Sequence, residues 1–316
     1  MNKLVAIAGG STLVYIALAL MMGVIPGYEL SRTRPGPGVE PLTALESAGR
    51  DVYVANGCAY CHTQQVRPLP EDKVFGRPST AGDYAYQTPE LLGSERTGPD
   101  LINVGARQPS DVWQYIHLYQ PRAVVPQSIM PSFPWLFEVV EQAPAGVAPV
   151  PVPEPYGPAH GVLVPGAQAQ ALVAYLLSLK QAPLPGAPQA QAAPASAPGG
   201  ATAGQPTDVA HGQQLFVADC AACHQAGGQG LPGAFPPLKG DAVVDSPDAT
   251  EHIHTVLFGL QGKTIDNVKY GSPMPPWSQL SDQDIAAIVN YERSAWDNHG
   301  KLVSAGDVAA IRAKGK

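Results

Sequence analysis

All four cysteines of the 316-residue chain lie in two copies of the string Cys-x-x-Cys-His. The six residues are Cys58, Cys61 and His62 in the first copy, and Cys220, Cys223 and His224 in the second. Two thiols three residues apart can each bond to one vinyl group of a haem, and the next histidine then lies beneath the iron. A single Cys-x-x-Cys is also compatible with a disulfide or a zinc site. Two copies that both end in histidine predict two covalently attached haem c groups, each with one iron.

Each predicted haem has one candidate for the second axial ligand. Three of the five methionines, Met1, Met21 and Met22, belong to the N-terminal segment, which leaves Met130 and Met274. Both follow a haem motif and lie in proline-rich loops, Ile-Met-Pro-Ser-Phe-Pro-Trp and Ser-Pro-Met-Pro-Pro-Trp. Prolines restrict the backbone and stiffen such loops. The alternative is a methionine that fills an apolar gap. The matching contexts favour axial ligation, which raises the reduction potential of a haem.

Residues further along each domain are candidates for supporting the haem. An axial histidine needs an acceptor for its other ring nitrogen. The carbonyls of Pro99, in Thr-Gly-Pro-Asp-Leu, and of Pro236, in Phe-Pro-Pro-Leu, are our candidates. Arg67 and Arg96 are candidates for neutralising haem propionates, with ordinary surface arginines as the alternative.

Several further histidines could compete as iron ligands. They are His117, His160, His211, His252, His254 and His299. We interpret most of them as solvated or as lying at the edge of a core. His117 is the exception to examine, because it lies in an apolar and aromatic stretch.

The composition limits the class of protein. The net charge is −7, and the 19 Lys and Arg residues form no cluster, so nucleic acid is not expected as a partner. The chain contains 34 Pro and 33 Gly, which predicts long irregular stretches and small cores. The length of 316 residues predicts more than one domain. Because helical periodicity closes each domain and no strand alternation is found, we expect a mainly α-helical fold.

The chain divides into five segments by composition. Residues 1–30 are predicted to form a transmembrane anchor, and residues 42–180 a first haem domain. Residues 181–206 consist almost entirely of Ala, Pro, Gly, Gln and Ser, which predicts an extended linker. Residues 207–299 are predicted to form a second haem domain. Residues 300–316 are expected to be a tail with at most a short, loosely docked helix.

The N-terminal apolar run is long enough to cross a bilayer as a helix. A cleaved signal peptide is the alternative, since Ala17-Leu18-Ala19 resembles a cleavage site. The apolar run continues beyond that point to Ile25, which favours an uncleaved anchor. Because haem c is attached outside the cytoplasm, the haem domains are expected in the periplasm of a bacterial inner membrane.

The two domains share a pattern. In each, a short helix with an apolar and aromatic pair leads into the haem motif, and a helix closes the domain. The closing helices are predicted at residues 167–180 and after Ser281, whose hydroxyl caps the helix together with Asp284. No strand is predicted, and residues 143–165 form a proline-rich insertion.

The first domain resembles the monohaem cytochrome c subunit of cbb3-type haem–copper oxidases. The resemblance is carried by residues 49–68 (GRDVYVANGCAYCHTQQVRP), 93–101 (GSERTGPDL), 112–126 and 130–136. It implies that His62 and Met130 bind the first haem iron. It also implies a catalytic membrane subunit with b-type haems and copper as partner. The chain departs from that family in its insertion and in its second domain, which is similar to class I cytochromes c.

The resemblance implies an electron carrier that is a non-catalytic subunit of an oxygen-reducing complex. Electrons would come from a cytochrome c or cupredoxin donor, enter at the second haem and leave from the first. The alternatives are a cytochrome c subunit of nitric oxide reductase and a free-standing membrane-anchored shuttle. A dihaem peroxidase is disfavoured, because that chemistry needs one iron with a displaceable ligand.

Overall fold

The computed structural model describes residues 2–87, 89–93, 96–182, 209–265, 268–270, 272–278 and 280–315. The chain begins with an apolar helix made of α1 (Asn2–Ala19), a π-helical turn (Leu20–Val24) and α2 (Ile25–Ser31). Pro26 lacks an N–H for the helical ladder, and the π turn directly precedes it. The most apolar 18-residue window of this helix has a mean hydropathy of 2.1 and is not buried. The helix has the length and composition to cross a membrane.

The first domain is built from helices and short 3₁₀ turns around a large apolar core, with a second, smaller cluster of Val66, Tyr84 and Ile102. Its helices are α3 (Ala44–Ala55), α4 (Val104–Arg107), α5 (Asp111–Tyr119) and α6 (Ala167–Ser178). Its 3₁₀ turns are Cys58–Tyr60, Pro70–Phe75, Ala81–Tyr84, Pro121–Ala123 and Pro134–Leu136. A capping box starts α3: the Thr43 hydroxyl accepts from the Glu46 N–H, and the Glu46 carboxylate accepts from the Thr43 N–H.

Helices α3 and α6 cross at a glycine. A Cβ at Gly49 would lie 1.9 Å from the Ala171 carbonyl oxygen, so only glycine permits this approach. One turn further along α3, the rings of Tyr53 and Tyr175 meet edge to face with centroids 5.6 Å apart. This crossing fixes the end of α3, from which the first haem motif continues.

The second domain repeats this arrangement. Its elements are α7 (Val209–Leu215), a π turn (Phe216–Cys220), α8 (Ala221–His224), α9 (Thr250–Phe258), α10 (Asp282–Ser294) and α11 (Ala305–Lys314). A Cβ at Gly212 would lie 1.9 Å from the Ala287 carbonyl oxygen. The rings of Phe216 and Tyr291 have centroids 5.3 Å apart. The same glycine crossing therefore leads into both haem motifs.

Two expectations about secondary structure are wrong. The proline-rich insertion is closed by two antiparallel strands, β1 (Phe137–Val140) and β2 (Val162–Pro165), and two further residue pairs, β3 (Thr264–Ile265) and β4 (Val268–Lys269), form a second small sheet. The tail is also not loosely docked. Val308 and Ile311 of α11 are buried against the second core, and Arg312 binds Asp282 at 2.7 Å. These residues attach the last helix firmly to the domain.

The predicted fold class is confirmed, since the chain is mainly helical with an N-terminal apolar helix and two helical domains. The closing helix of the first domain, predicted at residues 167–180, ends at Ser178. The Ser281 side chain caps α10, as predicted, by accepting from the Asp284 N–H. The predicted linker at residues 181–206 lies outside the described residues apart from its first two positions.

Candidate haem sites

The second haem motif opens into a cavity of about 1020 Å³, including space open to solvent. Cys220, Cys223, His224 and Met274 all line this cavity. Backbone hydrogen bonds in both directions between Met274 and Leu260 (2.8 and 3.2 Å) hold the methionine loop against the end of α9. The four residues predicted to hold the second haem are therefore brought together around one apolar space.

His224 is positioned by a backbone acceptor. Its Nδ1 lies 2.9 Å from the carbonyl oxygen of Pro236, so this nitrogen carries the proton and Nε2 is left free for a metal. Burial lowers the pKa of His224, which keeps the ring neutral, the form that binds iron. Gly230 lets the loop pass at this point: its φ is +61°, and a Cβ there would lie 2.5 Å from the Pro236 carbonyl oxygen.

The first motif has the same support. His62 Nδ1 lies 2.9 Å from the Pro99 carbonyl oxygen, and burial lowers the pKa of His62. The Gly98 N–H donates to the Cys61 carbonyl oxygen at 3.0 Å, which pins this loop to the haem motif. A Cβ at Gly98 would lie 2.3 Å from His62 Cε1, so the loop is packed flat against the histidine ring.

Met130 packs on the same apolar core as the first motif. Met130 and Cys58 are both partly buried against the core of the first domain. The Phe133 N–H donates to the Leu118 carbonyl oxygen at 2.9 Å, which ties the methionine loop to the end of α5. Burial raises the pKa of the Cys58 thiol to about 11 and that of Cys223 to about 12, so both thiols are protonated before haem attachment.

The donor set in each domain fits haem c. Each offers a pair of thiols at the attachment spacing, a neutral histidine with Nε2 free, and a methionine thioether on a tethered loop. In the second domain, most of the surface lining the cavity is apolar, as a porphyrin face requires.

Arg67 and Arg96 lie in an ion-pair cluster that the sequence did not reveal. Both bind the buried carboxylate of Asp72, each at 2.7 Å. The hydrogen bond from Arg67, together with that from Arg96, lowers the pKa of Asp72 to about 2. Arg96 also lies 3.7 Å from Asp100, which is fully buried. Asp72 therefore already neutralises part of their charge. Propionate binding by these arginines stays a prediction.

Of the remaining histidines, His252 is buried and His117 is half-buried. His117 stacks on Trp113 with ring centroids 4.6 Å apart, and burial lowers its pKa to about 4. His252 is only 4% exposed and binds the equally buried Glu292, so the expectation of a solvated or core-edge residue is wrong for His252. The sequence contained an indication of this burial, because Glu292 lies on the same face of α10 as the apolar residues Ile285 and Ile288.

The haem-side loop of the second domain packs into the apolar cluster of the first domain. Leu231, Ala234 and Phe235 are buried in the cluster that Cys58 and Met130 border. Gln108 of the first domain in turn lines the second cavity. The two candidate haem sites thus border one continuous apolar region.

Comparison with known proteins agrees with this division into two sites. Residues 2–147 match the family described as cytochrome c oxidase, mono-haem subunit/FixO, and residues 209–296 match the cytochrome c family. A cytochrome c-552 of Thermus thermophilus is 39% identical over 114 residues, which cover 33% of this chain and 86% of the relative. Cytochrome c6 of Cyanidioschyzon merolae is 39% identical over 85 residues, covering 27% of this chain and 71% of the relative.

The cytochrome c subunit of an alcohol dehydrogenase (quinone) from Gluconobacter oxydans is also similar. It is 35% identical over 106 residues, which cover 33% of this chain and 22% of that subunit. Two cytochrome c domains with intact Cys-x-x-Cys-His motifs carry two covalently bound haem c groups. The chain belongs to the cytochromes c, with one domain that matches the FixO mono-haem family model and a second that matches the cytochrome c family model.

Proposed function

We propose that this chain is the electron-transfer subunit of a cbb3-type terminal oxidase. It would deliver electrons to the haem–copper catalytic subunit, which reduces oxygen to water. The observation that carries the proposal is the match of residues 2–147, which include the anchor and the first haem motif, to the oxidase mono-haem subunit family. Bound haem supplies one-electron chemistry by cycling its iron between the ferric and ferrous states.

The axial ligands in this proposal are His62 with Met130 and His224 with Met274. Each histidine is oriented by a proline carbonyl at 2.9 Å, which fixes the tautomer with Nε2 free. Each methionine loop is tethered to the end of a helix by backbone hydrogen bonds. A rigid ligand set suits electron transfer, because the protein then changes little between the two oxidation states.

The apolar N-terminal helix is proposed to anchor the chain in the inner membrane, with both haem domains in the periplasm. Its exposed surface supports this, since none of its most apolar window is buried. The anchor directly precedes the first domain, which therefore lies next to any membrane partner. The second domain is the proposed entry point for electrons from a cytochrome c or cupredoxin donor.

Transfer between the two domains is supported by their packing. The loop of Leu231 and Phe235 is buried in the apolar cluster that borders Cys58 and Met130. Electrons would pass across this apolar contact from the second site to the first, and then to the catalytic subunit. The external donor would approach the second domain on a surface that this contact leaves exposed.

The relatives support a second candidate. The cytochrome c subunit of an alcohol dehydrogenase (quinone) is 35% identical over the matched segment. In this reading the chain accepts electrons from a periplasmic dehydrogenase and no oxidase subunit is attached. The first candidate is favoured, because the family match over residues 2–147 is to an oxidase subunit.

One experiment separates the two candidates. The full chain, with an affinity tag after Lys316, is isolated from its native membranes in mild detergent, and haem b and haem c are quantified by the pyridine haemochrome method. We expect haem b in stoichiometric ratio to the chain and oxygen consumption with a reduced cytochrome donor. Haem c alone, with a dehydrogenase subunit in the preparation, would overturn the oxidase proposal. A tagged chain with Cys220→Ala and Cys223→Ala is the control for haem counting, with one haem c fewer per chain.

A further inference from the structure

A buried histidine–carboxylate pair joins α9 to α10 in the second domain. His252 Nε2 and Glu292 Oε2 are 2.7 Å apart, with side chains 5% and 4% exposed. Apolar residues of the second core surround the pair on both helices. Replacing a buried ion pair by apolar residues of similar volume is often neutral or stabilising for a protein. Packing alone therefore does not account for these two side chains.

His252 also faces the second haem cavity. It is part of the lining that includes His224 and Met274, whereas Glu292 is not among the lining residues. His252 Nδ1 is buried and has no hydrogen-bond partner among the residues that the structure describes. A buried polar atom without a partner is destabilising. The group that fills the cavity is therefore expected to supply the missing partner.

The chemistry of haem identifies that partner. The hydrogen-bonding atoms at the edge of a haem are the oxygens of its two propionates, which accept when ionised. His252 Nε2 already faces a carboxylate acceptor, so a second acceptor at Nδ1 requires protons on both ring nitrogens. Lys263, another basic residue of the lining, is already bound to Glu251 at 2.6 Å.

We propose that His252 is an imidazolium that binds a propionate of the second haem and is held in place by Glu292. His252 is then a positioning residue that also sets the reduction potential. A positive charge next to the haem favours the state with the additional electron, so it raises the midpoint potential. Glu292 orients the ring through its 2.7 Å contact with Nε2.

The test uses the full-length holoprotein with His252→Gln. Spectroelectrochemical titration should show the second haem with a ferrous-to-ferric ratio at least tenfold lower at the same applied potential, a fall of about 59 mV in midpoint potential. The first haem should keep its potential. Resonance Raman spectra should show a shift in the propionate bending band of one haem only.

The matched control is His211→Gln. His211 forms a similar pair with Asp284 at 2.9 Å on the same domain, but its side chain is 38% exposed. It should change neither the potential nor the propionate band. If His252→Gln does not fold, the double variant His252→Leu with Glu292→Leu keeps the packing and still lacks the imidazolium. It should also lower the potential of the second haem.

Three results would overturn the proposal. They are an unchanged potential of the second haem in the His252 variants, a fall in potential without a shift of the propionate band, and an equal fall in the His211→Gln control. Because haem c in this domain does not depend on the oxidase assignment, these measurements are independent of the proposed partner.

Discussion

Gly98→Ala is expected to displace the first axial histidine. The added methyl carbon would lie 2.3 Å from His62 Cε1, 2.6 Å from Nδ1 and 2.9 Å from Nε2. Non-bonded carbons rest at about 3.5–4.0 Å. The ring or the loop must therefore move by roughly 1.2 Å, the difference between the shortest normal contact and 2.3 Å.

Neither the Gly98 loop nor the His62 ring can move freely. The loop is held by the Gly98 N–H bond to Cys61 at 3.0 Å, and the ring by its bond to Pro99 at 2.9 Å. Overpacking of this kind costs about 1–3 kcal/mol. This corresponds to a factor of roughly 5 to 160 in the equilibrium between the intact and the displaced histidine. We expect the first haem to lose low-spin coordination in a large fraction of molecules.

Electron paramagnetic resonance of the oxidised full-length protein measures this directly. One of two low-spin ferric signals should lose intensity to a high-spin signal, while the second haem serves as an internal standard. Gly306→Ala is the control, because its nearest contact is Ser304 Oγ at an ordinary 3.5 Å. A Gly98→Ala protein with both low-spin signals and both potentials intact would refute the assignment of this loop as the support of His62.

Three further predictions concern the ligands, the helix crossings and the buried carboxylate. Met130→His should lower one of the two midpoint potentials and Met274→His the other, because thioether ligation raises a haem potential. Spectroelectrochemical titration measures both potentials. Gly49→Ala and Gly212→Ala should each cost about 3 kcal/mol or more and reduce haem content in their own domain, measured by thermal unfolding and haem per chain. The pKa of Asp72 is lowered to about 2, so its contribution to the free energy of unfolding is fully present above the unfolded carboxyl pKa near 3.9 and is lost as the pH falls through about 2. In Asp72→Asn, urea unfolding should show a smaller loss of stability between these two pH values.

The haem motifs were predictable because covalent attachment imposes a fixed local spacing. The predicted acceptors could also be named from the sequence, and the hydrogen bonds to the Pro99 and Pro236 carbonyls are both present. In each domain a proline-containing loop returns to the motif, 37 residues after the histidine in the first domain and 12 residues after it in the second. The glycine crossings were visible only as a repeated pattern, because the sequence does not say what Gly49 and Gly212 approach.

The features that sequence reasoning missed depend on contacts between distant residues. Strands β1 and β2 are four residues each and pair across the proline-rich insertion, and such short strands carry no clear alternation. Burial of charge is equally hidden, because Asp72 looks like a surface residue until Arg67 and Arg96 approach it. The last helix has only Val308 and Ile311 as buried anchors, too few for a recognisable apolar stripe.

The two domains differ most clearly at one equivalent helix position. Helices α5 and α9 are both nine residues long. Helix α5 packs on α6 in the first domain, and α9 packs on α10 in the second. The third residue is Trp113 in α5 and His252 in α9, and both have a buried ring nitrogen without a partner among the described residues. The indole of Trp113 is neutral, whereas the proposed imidazolium of His252 carries a charge. Because the helix crossings and the proline carbonyls match in the two domains, the proposed charge at this position would separate the potentials of the two haems.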